Sequence, residues 1–160
     1  MRKWLEGFAL LALGLHIAIT VRALFGADHM PERIPIHFDA MGQPDSWGSP
    51  AFLIWLPAIT LIIYLLFTVV TQFPGAFNYP VKVTVFNRLR MQGLALDMMA
   101  WLKVEIVSLL TWMQWATVQE ARNPGQHVPG MTPMALVVVF ATVTLYIVMM
   151  FKAGREQLRP

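Results

Sequence analysis

Cysteine is absent from the 160 residues, which removes disulfides, thiolate metal sites and cysteine nucleophiles from consideration. Charge is scarce as well. Asp, Glu, Lys and Arg make up 13% of the chain, where a soluble domain carries about 25%. With 57% hydrophobic residues and a mean hydropathy of +0.57, that scarcity excludes an ordinary water-soluble globule. Enzyme motifs are missing too: Ser46 and Ser49 have neither a nucleophile elbow nor an oxyanion motif beside them. No basic stripe interleaved with base-stacking aromatics occurs on a soluble segment, so the pI of 9.6 is no argument for nucleic acid binding.

What is abundant is long apolar sequence. A bilayer core about 30 Å thick takes roughly 20 apolar residues per crossing, and four runs approach that length: 4–25, 52–71, 100–118 and 134–151. The expected fold class is therefore an all-α membrane protein of one four-helix domain over residues 1–160. The first run exceeds the roughly 7 to 15 apolar residues of a signal peptide and lacks a small-residue exit site; it reads as a retained span. Ser49 and Pro50 mark the start of the second, as cap and first helical residue. The third carries Lys103, Glu105 and Gln114 but also Trp101, Trp112 and Trp115. Thr84 is a candidate cap upstream of it, and a continuous helix over 85–119 would be about 52 Å long. That overshoots the bilayer and predicts an amphipathic basic foot, with Gly93 as the place to bend.

Lys and Arg alternate along the connections. The N-terminal tail has Arg2 and Lys3; residues 26–51 have only Arg33; residues 72–99 have Lys82, Arg88 and Arg90; the third loop has Arg122; the C-terminal tail has Lys152, Arg155 and Arg159. The positive-inside rule then puts both tails and the second loop in the cytoplasm and the first and third loops outside.

The outward loop 26–51 is the most informative segment. Alternation sets Ile34, Ile36 and Phe38 on one side of a short strand and Arg33, Pro35, His37 and Asp39 on the other. Gly42, Pro44, Asp45 and Gly48 are turn residues, so the loop should fold back over the helix ends.

Pro31-Glu32-Arg33-Ile34-Pro35-Ile36-His37-Phe38-Asp39, then Gly42, Pro44-Asp45 and Gly48-Ser49, resemble the signature of an uncharacterised bacterial multi-pass membrane domain family. The same domain is found at the front of the sporulation-delaying-protein immunity proteins. Asn78-Tyr79-Pro80-Val81-Lys82, Thr84 and Asn87-Arg88 resemble the family's second, cytoplasmic motif. The likeness extends over roughly residues 1 to 120, and Pro50 stands where many members have a lysine. It implies a plasma-membrane protein without known catalytic activity and, in the immunity relatives, protection against a secreted toxic peptide together with signalling.

Within the loop, Glu32, Arg33, His37, Asp39 and Asp45 are the ligand-binding candidates. His37, Asp39 and Asp45 are also weak metal candidates, but three such residues without a second histidine read first as a hydrogen-bonded turn with a His–Asp contact. No cofactor is expected. Inside the spans each ionisable residue is a functional hypothesis. His16 and Glu105 lie about two turns apart in depth, so His16 is expected to bond Thr111 or Gln114, and Glu105 to meet Lys82, Arg88, Arg90, Arg2 or Lys3. Arg22 should pair with Glu120, Glu32 or Asp39, Lys103 should reach the lipid head groups, and Gly14-x-x-x-Ala18 should let two helices of the chain pack closely. Two function classes follow: a binding or sensing module that recognises a peptide or lipid through the outward loop, or a small-solute, proton or ion carrier built on His16 and Glu105 and completed by a homo-oligomer.

Overall fold

The computed structural model describes residues 1–27, 29–39, 41–125 and 132–155. Arg159, one of the basic residues of the C-terminal tail, lies outside them. The elements are α1 (Arg2–Phe25), β1 (Ile34–Phe38), β2 (Pro44–Gly48), α2 (Trp55–Val70), α3 (Arg88–Arg122) and α4 (Thr132–Arg155). A 3-10 turn at Pro50–Ile54 leads into α2, and the Ser49 hydroxyl accepts from the amide of Ala51 at its start.

Three helical segments are long and apolar enough to cross a membrane: Arg2–Phe25, Pro50–Val70 and Thr132–Arg155. The fourth expected span, α3, falls short on composition, and its place in the bundle supplies the reason. It packs against α1, α2 and α4, and its large apolar side chains left exposed are only Leu89, Trp101 and Trp115, whereas α1, α2 and α4 expose many more. A helix wrapped by its neighbours meets side chains where they meet lipid, so polar groups on it can be satisfied inside the bundle.

Cross-helix contacts give the running order. Arg2 meets Asp97 at 2.8 Å, Glu6 meets Lys103, Ala12 meets Thr111 and Thr20 meets Gln114, so α1 and α3 run parallel. Leu53 bonds Gln114 while Thr68 bonds Lys103, which makes α2 antiparallel to α3. Thr142 bonds Glu105 and Met150 packs with Met91 and Ala95, so α4 is antiparallel as well. One end of the bundle thus carries the ribbon, and the other, the foot, carries residue 2 and residue 155.

α3 has 35 residues, the length expected but displaced three residues along the chain, and it passes Gly93 without interruption. Its start is a reciprocal cap. The Thr84 amide donates to Asn87 Oδ1 at 2.7 Å while the Asn87 amide reaches Thr84 Oγ1 at 3.3 Å, a capping box with Asn in the place of the usual Glu or Gln. The expectation for Gly14 and Ala18 is overturned: both are exposed and a Cβ on Gly14 would meet nothing within 4 Å. The small-residue face of α1 points away from the other helices.

Candidate functional site

The signature segment forms the antiparallel ribbon β1–β2, paired Ile34 with Gly48, Pro35 with Trp47, His37 with Ser46 and Phe38 with Pro44. Two register irregularities interrupt it. Ile36 is an extra residue on β1 and Asp45 an extra residue on β2, so the simple two-residue alternation fails: Ile34 and Pro35 are both buried while Ile36 and His37 are both exposed. Bulges re-aim side chains. Here one of them brings Asp45 Oδ1 to 2.6 Å from His37 Nδ1.

Asp39 closes the turn. Its Oδ1 accepts from the amides of Met41 and Gln43, both at 2.8 Å, and its carbonyl accepts from Gly42, whose φ of 81° is the left-handed conformation that favours glycine. Gly48 has a steric role: a Cβ there would lie 3.0 Å from two Ile36 side-chain carbons. Arg33 Nη2 donates across the ribbon to the Trp47 carbonyl at 3.2 Å. The run of turn and strand residues is thus hairpin chemistry, and no His/Asp/Glu group of metal-binding arrangement occurs among the described residues.

Ile34 anchors the hairpin. It is fully buried between Ala23 of α1, Leu53, and Val118 and Ala121 of α3. Two alanines leave the space an isoleucine needs, and burying it contributes about 1.5 to 3 kcal/mol.

Beneath the anchored ribbon lies a cavity of about 580 Å³. Ile34, Phe38 and their neighbours in β1 roof it, Phe52, Trp55 and Ile59 form one wall, Trp112 and Met113 of α3 form the floor, and Leu136 of α4 forms the opposite wall. It exists because α2 and α4 each pack on α3 rather than broadly on each other. Polar groups at its margin are His37, Asp39, Gln114, Thr117, Glu120 and Thr132. The formally charged ones among them are the carboxylates Asp39 and Glu120; no Lys or Arg lines it among the described residues. Glu120 is buried and accepts from the Gly125 amide at 3.0 Å.

Gln114 is a latch under this cavity. Its Nε2 donates to Thr20 Oγ1 at 2.8 Å and to the Leu53 carbonyl at 3.0 Å, tying α1 and the entry of α2 to α3. His16 is fully buried, and neither ring nitrogen has a partner among the described residues. The expected bond to Thr111 or Gln114 is not made, because Thr111 donates to the carbonyls of Ala12 and Val107 and Gln114 is engaged above.

Lys103 also departs from expectation. It is buried, with Nζ 2.8 Å from Glu6 Oε2, 2.9 Å from Thr68 Oγ1 and 4.6 Å from the centre of the Tyr64 ring. Tyr64 donates its hydroxyl proton to the other Glu6 oxygen. Lys103 therefore does not reach the lipid head groups, because Glu6 of α1 meets it inside the bundle. Glu105 instead accepts from Thr142 Oγ1 at 2.6 Å, and its other oxygen is buried without a partner among the described residues. His16 and Glu105 share no bond or pocket among the described residues. For Arg22, an exposed side chain, none of the expected acidic partners is found among the described residues.

At the foot, Tyr79 donates to the Pro74 carbonyl at 2.7 Å, and burial pushes its hydroxyl above the usual 10.0 against the opposing field of Arg88. Asn87 is buried, and its Nδ2 holds the Lys82 carbonyl at 3.0 Å. Phe77, Tyr79 and Val81 pack against Met91, Ala95, Met150 and Ala153. Asn78, Pro80 and Arg88 are exposed. The motif 78–88 therefore folds as a strap that joins the start of α3 to the end of α4.

Residues 14–62 match the family described as Domain of unknown function (DUF1648), a stretch that contains the whole ribbon and much of α1 and α2. An uncharacterized protein of Archaeoglobus fulgidus is 36% identical over 95 residues, 52% of this chain. The chain spans 51% of that relative's length. No solved structure matches the chain.

Proposed function

We propose that this protein is a multi-pass plasma-membrane binding and sensing protein, whose cavity beneath the outward hairpin takes an apolar peptide segment carrying a cationic group. The observation that carries the reading is the cavity itself: apolar walls, a volume of about 580 Å³, and Asp39 and Glu120 with no lining Lys or Arg. Such a site favours a positive charge at the end of an apolar group and repels a negative one. In this reading α3 crosses the bilayer inside a sleeve of α1, α2 and α4, which gives four crossings with both tails cytoplasmic. The alternation of Lys and Arg supports that orientation, and the hairpin then faces outward, where a secreted peptide arrives. An immunity-type role is the corresponding biological function, supported by the signature resemblance.

Trp55 and Trp112 line the cavity and provide the readout. In nanodiscs, octylammonium is expected to change their fluorescence saturably, and octanoate to bind at least tenfold more weakly. Glu120→Gln should narrow that preference, and Leu136→Trp, which fills the cavity, should abolish both signals. Equal affinity for the two probes, or an unchanged response in Leu136→Trp, refutes the reading. A peptide role further requires that a Leu/Lys peptide compete with octylammonium; competition only by zwitterionic lipid would assign the cavity to lipid.

A further inference from the structure

A second pocket, of about 490 Å³, lies at the opposite end of the bundle, between the strap that precedes α3 and the last turn of α4. We propose that it binds the phosphate of an anionic lipid, with Lys82 and Arg155 as the charge partners and Phe86 and Phe151 beside the acyl chain. All four residues line the pocket, and no Asp or Glu lines it among the described residues. The ligand differs in charge from the one assigned to the hairpin cavity, and this site does not depend on that assignment.

Three features of the chain point to a lipid rather than to a soluble anion. Val85, Phe86 and Leu89 are 91%, 90% and 83% exposed, an apolar wedge at the start of α3 that acyl chains would cover. The wedge adjoins the pocket through Phe86. Second, the pocket sits where the apolar stretch Thr132–Arg155 ends, the level at which a bilayer presents its head groups. Third, the fold fixes the backbone that carries the basic groups. The Asn87 side chain pins the Lys82 carbonyl, and Val81 packs at 3.3 Å from the position a Cβ on Gly154 would take, next to Arg155. Glycine at 154 lets the strap and α4 come that close. The Thr84 hydroxyl accepts from the Asn87 amide, so its proton stays available to a phosphate oxygen. Basic pockets of this kind between membrane helices are the expected form of anionic head-group recognition.

The test uses the full chain, purified in dodecylmaltoside, with bound lipid counted by native mass spectrometry. The probes are dioleoylphosphatidylglycerol, dioleoylphosphatidylcholine and inorganic phosphate. Phosphatidylglycerol is expected to bind more tightly than phosphatidylcholine, and Lys82→Gln and Arg155→Gln each to weaken it about fivefold, the effect of one basic residue near an anionic surface. Both side chains are exposed, so neither substitution threatens folding. Lys152→Gln, a neighbouring cation that does not line the pocket, is expected to leave affinity within twofold, and Glu120→Gln likewise. Equal binding of the two lipids, or full affinity in the Lys82→Gln/Arg155→Gln double variant, overturns the proposal. So does an equal loss in Lys152→Gln, which would mean general charge attraction. Displacement of phosphatidylglycerol by inorganic phosphate at millimolar concentration would overturn the lipid assignment in favour of a phosphate site.

Discussion

The node formed by Glu6, Tyr64, Thr68 and Lys103 offers the sharpest test of how the bundle is held. The Lys103 ammonium sits on 5% exposed side chain, with hydrogen bonds to Glu6 at 2.8 Å and Thr68 at 2.9 Å and its third face toward the Tyr64 ring. Glu6→Gln removes the counter-charge of a buried ammonium; because the Glu6 side chain is 40% exposed, the loss falls below that of a fully buried pair, at about 2 kcal/mol. Lys103→Met should cost less. The Glu6 carboxylate can then take up water, and the Tyr64 hydroxyl still donates to it. In Glu6→Gln/Lys103→Met neither charge remains, and replacing a whole buried pair with neutral groups is close to neutral. The double variant is therefore expected to be more stable than Glu6→Gln alone, with a coupling of about 1 to 3 kcal/mol. Reversible unfolding in mixed micelles with increasing dodecyl sulfate measures all four proteins on one scale. Additive losses, or a Glu6→Gln variant within about 1 kcal/mol of the parent, which a working ion pair would not allow, refute the reasoning.

Other expectations are more local. Asn87→Ala deletes one side of the capping box and the hold on Lys82, and should destabilise by about 2 kcal/mol; Asn87→Asp, which keeps an acceptor for the Thr84 amide but loses the donor to Lys82, should recover part of that in the same unfolding assay. Tyr79 has a raised folded-state pKa, so its contribution is intact below about pH 10 and is lost as pH rises through the raised value. Tyr79→Phe should lower stability by about 1 kcal/mol at neutral pH and flatten that alkaline decline; an unchanged decline would mean that other groups cause it. The absence of cysteine makes single-cysteine labelling clean. In intact bacterial cells an impermeant maleimide should modify Glu32→Cys at once and Ala76→Cys only after permeabilisation, and equal labelling of the two would reject the proposed orientation.

Much of the fold was legible because it is written in local chemistry. Three of the apolar runs stand out by length and composition together, and Ser49-Pro50 announces the start of the helical segment before α2. Thr84 could be named as a cap from its place before the long helix, and the reach of α3 followed from adding a polar foot to an apolar run. The legible part ends where partners come from far away in sequence. Lys103 and Glu6 are 97 residues apart, and α3 could be assigned neither its central position nor its partners from its own periodicity, since a helix surrounded on three sides has no single apolar stripe. The same reasoning explains His16. A pattern that gives depth along a helix does not give azimuth to within a side chain, and Thr111 at the right depth turned its hydroxyl to the α1 backbone instead.

The hairpin shows a different limit. Gly42 was readable as a turn former, and the contact between His37 and Asp45 was within reach of spacing, but the part Asp39 plays in closing the turn and the two bulges were not, since each bulge adds a residue on one strand with no residue type reserved for it. They decide the ribbon's geometry: with regular alternation Pro35 would have faced outward together with His37, whereas the bulged ribbon buries Pro35 beside Ile34. The cavity below is still further from the sequence, because it is a space left over. α2 and α4 lean on α3 from different sides, Ile34 holds the ribbon down at one edge only, and the gap between these supports stays unfilled. Cutting Ile34 back to alanine should therefore loosen the roof before it unfolds the helices, and with the roof loose the ammonium probe should lose affinity while the helical circular dichroism signal stays at the parental value. An Ile34→Ala variant that binds octylammonium as tightly as the parent would show that the roof is not part of the site.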